Sequence, residues 1–127
     1  MYVCDICAKC PSSHSFDILK EDANQVIYYS CPAKSTKPHD HDGILEHYKG
    51  MLLDKQNKKW TWIIDGTDFD IKQVDIKINL TLTKLLETHI HTLDSILFIN
   101  STRQIKMALS MACPLLSKEL RDRIKFE

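Results

Sequence analysis

Apolar residues in this chain alternate between short continuous runs and longer stripes at helical spacing, and that alternation predicts an α/β fold. The first run, Val26-Ile-Tyr-Tyr-Ser-Cys31, is β-branched and aromatic and is bounded by Asn24 and Pro32. It reads as a strand. Beyond a turn-rich connection, Asp40 or Asp42 can cap a helix whose apolar positions Ile44, Leu45, Tyr48, Met51 and Leu52 share one face. Trp60-Thr-Trp-Ile-Ile64, closed by Asp65-Gly66, predicts a strand buried on both faces. Residues 75 to 91 predict a second helix, with Ile78, Leu82, Leu85, Leu86 and His89 along its stripe. Ser95-Ile-Leu-Phe-Ile-Asn100 is a third strand, and Arg123 to Glu127 a short fourth one. Between them runs a third helix, capped by Ser101 or Thr102 and reaching to about Arg121. The order β-α-β-α-β-α-β, with right-handed crossovers, gives a small, mostly parallel sheet of about four strands.

The third helix departs from the ordinary stripe. Ile105 to Leu116 is apolar nearly all the way round, interrupted by Lys106 and Ser110. A helix covering a sheet needs one apolar face, so a second face calls for a lipid, a partner protein or a second copy. Met107 and Met111 supply an adaptable apolar surface, and Pro114 removes a backbone donor and predicts a kink there.

Composition narrows the partners. At 127 residues the chain is one domain, with 43% apolar and 27% charged residues. Seventeen basic residues balance seventeen acidic ones, which argues against nucleic acid and leaves at most peripheral contact with a membrane. No apolar run approaches the roughly 20 residues of a bilayer span. The start of the chain, Met-Tyr-Val-Cys-Asp-Ile-Cys, lacks the pattern of a signal peptide, which predicts a cytoplasmic protein with reduced thiols.

Residues 1 to 24 differ from the domain at 25 to 127, being rich in Cys, Ser, Lys and Asp without sustained periodicity. Within them, Cys4-x-x-Cys7-x-x-Cys10-x-x-x-His14 offers thiolate and imidazole ligands for a structural zinc ion. Cys31, His39 and His41 could join only if the segment folds back on the first strand; the plain alternative is a loose terminus with free thiols. His39 and His41 flank Asp40, which reads as a cap, and His89 reads as a packing histidine.

Catalytic templates fail. Ile63-Ile-Asp-Gly-Thr67 resembles the Asp-x-Asp-Gly-Thr signature of haloacid-dehalogenase-like phosphatases, but Ile63 stands where the nucleophile would be. Asp65, Asp68 and Asp70 together could hold a hard cation; the alternative is an acidic turn facing water. With three glycines in the chain, no glycine-rich phosphate loop can form. Cys113, among apolar neighbours, suits packing better than nucleophilic chemistry.

Taken together, Trp60 to Gly66, Leu85 to Asn100 and Ala112-Cys-Pro-Leu-Leu116 with Arg123-Ile-Lys125 resemble the CRAL-TRIO lipid-binding domain. The resemblance covers about residues 25 to 127. It implies a sheet flooring an apolar pocket and a mobile gate at residues 103 to 120, with no catalysis. Met107, Met111, Leu115, Leu116, Trp60 and Trp62 are then the expected ligand contacts. The family's N-terminal helical bundle is replaced here by the Cys-rich segment. The chain also stops at Phe126-Glu127, before the elements that usually close the pocket, which predicts a pocket that is open, vestigial or sealed by dimerisation. Divergent members of the BCH type imply an alternative, a protein-interaction or homodimerisation module using the same helix.

Overall fold

Alternating branched and aromatic side chains make three of the strands, and the computed structural model, which describes residues 2–10, 13–37, 39–73 and 75–127, assembles five. Helix α1 (Asp5–Lys9) is followed by β1 (Asp17–Glu21), β2 (Gln25–Ser30), α2 (His41–Asp54) and β3 (Lys59–Asp65). Then come α3 (Ile76–Thr88), β4 (Leu93–Ile99), α4 (Arg103–Ala112), α5 (Lys118–Asp122) and β5 (Ile124–Phe126). The sheet order is β1-β2-β3-β4-β5. β1 runs antiparallel to β2, and every other pairing is parallel. The α/β class and the mostly parallel sheet stand as the periodicity predicts.

The register places Tyr28, Trp62, Ile96 and Ile124 in one row across the sheet, and Ser30, Ile64, Phe98 and Phe126 in the next. Side chains of a strand alternate between faces. One face therefore carries Val26, Tyr28, Trp60, Trp62, Ile96 and Phe98, all buried in the core. The alternate positions, among them Ile27, Tyr29, Ile63, Leu97 and Ile99, are only half-buried. This corrects the expectation that the Trp60–Ile64 run is buried on both faces. Consecutive strands lie side by side in chain order, so right-handed crossovers carry every connecting helix to the same side.

Each longer helix begins on a side-chain cap. The Asp40 carboxylate accepts from the Gly43 amide, Asp75 from Lys77 and Ile78, and Thr102 from Ile105. The long third helix does not form as one piece. Pro114 lies in a 3-10 turn at Cys113–Leu115, Leu116 is extended, and Ser117 caps the separate α5. A proline cannot donate to the preceding turn, so α4 ends at Ala112 where a kink was expected.

Residues 1 to 24 also differ from the expectation of a loose terminus. β1 pairs with β2, and Phe16, just before it, is wholly buried. Its ring stacks on Tyr28 at 4.6 Å and on Tyr48 at 4.1 Å, and meets Trp62 edge-on at 5.6 Å. The centre of the aromatic core thus comes from the segment with the weakest periodicity.

Candidate functional site

The helices leave a cavity of about 520 Å³ open to solvent between the buried face of the sheet and α3, α4 and the turn after α4. Ligand sites commonly have volumes of roughly 300–1,000 Å³. Trp62 and Ile64 of β3 with Ile96 and Phe98 of β4 form the floor. Ile78, Leu82 and Leu86 of α3 form one wall, and Ile105, Leu109 and Ala112 of α4 the other. Leu115 and Leu116, from the turn after α4, also line it. The polar groups at the rim include Asp75, Asn79 and Thr83, and no Lys or Arg is among the described lining residues. The Trp62 indole N–H is satisfied by the Ser30 hydroxyl at 2.8 Å, so this part of the floor presents an apolar ring face. Such a chamber suits an uncharged, apolar body, and His14 is the one basic side chain among the described lining residues.

Of the six contacts expected from sequence, Trp62, Met111, Leu115 and Leu116 line the cavity. Met107 and Trp60 lie outside it. At 3.6 residues per turn Met107 points about 200° away from Ile105, and it is 51% exposed. Trp60 sits two residues before Trp62 on the same strand, buried beside Tyr28 at 5.9 Å, with its indole donating to the His89 carbonyl. The α3 residues Ile78, Leu82 and Leu86, which the sequence reading set along a helical stripe, form much of the wall. The helical stripe that marks a core residue also marks a pocket residue.

The acidic turn is already satisfied. One Asp65 oxygen accepts the Tyr29 hydroxyl at 2.5 Å; the other accepts the Thr67 hydroxyl, the Thr67 amide and the Asn100 amide. Burial works to raise the Asp65 pKa, but the hydrogen bonds outweigh it and hold the carboxyl well below its ordinary range. The same bond pushes Tyr29 up to about 12. Asp65 is thus held as an acceptor in a structural knot, and Asp68 and Asp70 do not gather with it into a group of cation ligands.

The N-terminal segment folds back, though with a different fourth member from the sequence expectation. Cys4 caps α1 and Cys7 follows one turn later, while Cys10, at the C-terminal end, lies 3.7 Å from the Thr36 hydroxyl. Cys4, Cys7 and His14 meet His47 of α2 instead. His14 and His47 are both buried. Burial pushes the Cys7 thiol up and the His47 imidazole down. His39 pairs with Asp75 at 3.8 Å and His41 with Asp42 at 3.6 Å, so neither joins the group. Cys31 is buried, with its thiol toward the Thr67 carbonyl. His89, half-buried at the end of α3, has its pKa lowered by burial, in keeping with a packing role.

No helix among the described residues is long and apolar enough to cross a membrane. No curated protein sequence matches the chain. Among solved structures it is similar to one described as the crystal structure of Sfh5, at 14% identity and a TM-score of 0.62. That match covers 86% of this chain and 47% of the other, so this chain spans about half its length. The family model for the CRAL/TRIO domain matches residues 23–127, a stretch that carries all four parallel strands and the whole cavity wall from α2 onward. The chain belongs to the CRAL/TRIO domain family.

Proposed function

We propose that this chain is a non-enzymatic module that binds a lipid or another small apolar molecule in the cavity between the sheet and α3 and α4. The family binds lipids and small apolar molecules, and the carrying observation is the cavity itself, with its aromatic and aliphatic walls. Burying an apolar chain there gains roughly 25 cal/mol per Å² removed from water. The absence of Lys and Arg among the described lining residues favours an uncharged ligand, or one whose headgroup stays at the rim. Met111 and Leu115, 63% and 58% exposed, stand at the mouth, where a bound tail would cover them.

Titration with a fluorescent fatty-acyl or sterol probe, alongside native mass spectrometry of the purified chain, tests this. Ala108→Trp, which fills the cavity from α4, is expected to weaken probe binding at least tenfold while the far-UV spectrum is kept. A chain with neither co-purifying lipid nor probe uptake would sink the proposal.

Met107 supports a second reading. It lies outside the cavity, and with Met111 one turn further along α4 it forms an exposed apolar pair. Such an exposed pair suits a homodimer or a protein partner. Light scattering separates the two readings: self-pairing predicts a dimer that Met107→Asp splits without loss of probe binding.

A further inference from the structure

We infer that Cys4, Cys7, His14 and His47 form a four-coordinate structural zinc site that ties the N-terminal segment to α2. The four ligand atoms all lie within 4.8 Å of one another. Cys4 Sγ and Cys7 Sγ each stand 3.5 Å from His14 Nδ1, and Cys7 Sγ stands 3.7 Å from His47 Nδ1. Tetrahedral zinc, with Zn–S about 2.3 Å and Zn–N about 2.0–2.1 Å, requires sulfur-to-nitrogen separations of about 3.5–3.6 Å. Three of the six ligand-to-ligand separations therefore already match the edges of a coordination tetrahedron, and the remaining ones are within 4.8 Å.

The far side of each imidazole strengthens the assignment. His14 Nε2 lies 2.9 Å from Asp40 Oδ2, and His47 Nε2 lies 2.5 Å from the Phe16 carbonyl. A carboxylate and a carbonyl can only accept, so both Nε2 atoms carry hydrogen and each ring turns its Nδ1 toward the thiols. Metal-bound histidines characteristically donate their second N–H to such an acceptor. Gly43 keeps this arrangement open, because a Cβ there would collide with the Asp40 carboxylate and crowd His14. Gly50 does the same one stage further out, leaving room for the Tyr2 ring, which meets His47 edge-on at 6.1 Å.

Two thiolates and two imidazoles select a borderline-soft ion such as Zn²⁺ over Mg²⁺ or Ca²⁺. Four protein ligands leave no open coordination position, so the role is structural. The ion would cross-link residues 4 and 7 to residue 47, on a helix packed against the core.

The test is metal analysis of the purified chain, followed by Co²⁺ titration of the chain stripped by a chelator. One equivalent of zinc per chain and the absorption of tetrahedral thiolate-bound cobalt are expected. His47→Gln and Cys7→Ser should each lower bound metal at least tenfold, Asp40→Asn should weaken affinity 10–100-fold, and Cys10→Ser should change nothing. Because a variant can fail to fold, thiol labelling of the native sequence gives an independent reading. Cys10 should label throughout, and Cys4 and Cys7 only after chelation. A folded chain that takes up no zinc, or in which chelation leaves Cys4 and Cys7 labelling unchanged, overturns the site. Metal binding that depends on Cys10 and not on His47 overturns it equally.

Discussion

At the scale of single residues, Asp65 shows how a chemically suggestive position is spent on architecture. It ends β3 at the carboxyl edge of the parallel strands, where open α/β sheets place their ligands. Tyr29, Thr67 and Asn100 nevertheless occupy its oxygens, and Asn100 adopts φ 49° at the end of β4 to reach it. Asp65→Asn removes acceptor capacity that buried donors rely on, and should cost about 1–3 kcal/mol in urea unfolding at neutral pH. The folded-state pKa of Asp65 is depressed. Its stabilisation is therefore full above about pH 4 and is lost as pH falls through the folded value. The gap between native and variant proteins should accordingly narrow below pH 4. Unfolding curves at pH 7 and pH 3 that show an equal gap would contradict this. His47, a ligand in the proposed zinc site, is not legible in the sequence. It sits on the α2 stripe beside Tyr48, forty positions from Cys7, and nothing local marks it as a ligand. Cys10 repeats the Cys4–Cys7 spacing, but at the end of α1 its backbone leaves helical geometry and its thiol lies beside Thr36.

At the scale of elements, legibility followed side-chain chemistry. β2, β3 and β4 were readable because their branched and aromatic residues have few other uses, and the helical stripes of α2 and α3 were readable for the same reason. β1 was not. As an edge strand it is mostly exposed, and Asp17, Lys20 and Glu21 protect that edge from further pairing. Lys55 and Lys58 also pair with Glu21 there, at 2.9 and 2.6 Å. What betrays its importance is Phe16, which precedes it. Phe16→Ala should cost about 3–5 kcal/mol, as expected for a fully buried aromatic ring, with the loss read from the urea midpoint. A cost under about 1 kcal/mol would mean that the segment is not part of the core. The third helix was misread in extent because its apolar run continues through Pro114, and composition alone does not show where backbone donors run out. Thr102→Ala, which removes the α4 cap, should cost about 1 kcal/mol and raise amide exchange over Arg103–Ala112 first.

At the scale of the whole molecule, the helices lie on one side of the sheet and the cavity lies among them. A ligand there touches β3, β4, α3 and α4 together, so binding should stabilise the domain as a unit. Addition of a bound fatty-acyl or sterol probe at a hundred times its Kd is expected to add about 2.7 kcal/mol to unfolding, seen as a rise in Tm. A pocket floored by the sheet is what the family resemblance implies, whereas the sequence alone does not mark the α3 walls. Residues that look like core from the sequence are core until the packing leaves space above them.

The chain-order arrangement of the strands also has a kinetic meaning. Tyr28 pairs with Trp62, Trp62 with Ile96, and Ile96 with Ile124, so each parallel pairing closes a loop of about thirty residues. Every step of sheet growth carries a similar entropic cost, and no strand must wait for a partner from the far end of the chain. Synthesis delivers the strands in the order in which they pair. Once a nascent chain has released Asp65 from the ribosome, three adjacent strands and the aromatic cluster around Phe16 can close before the cavity walls have been made.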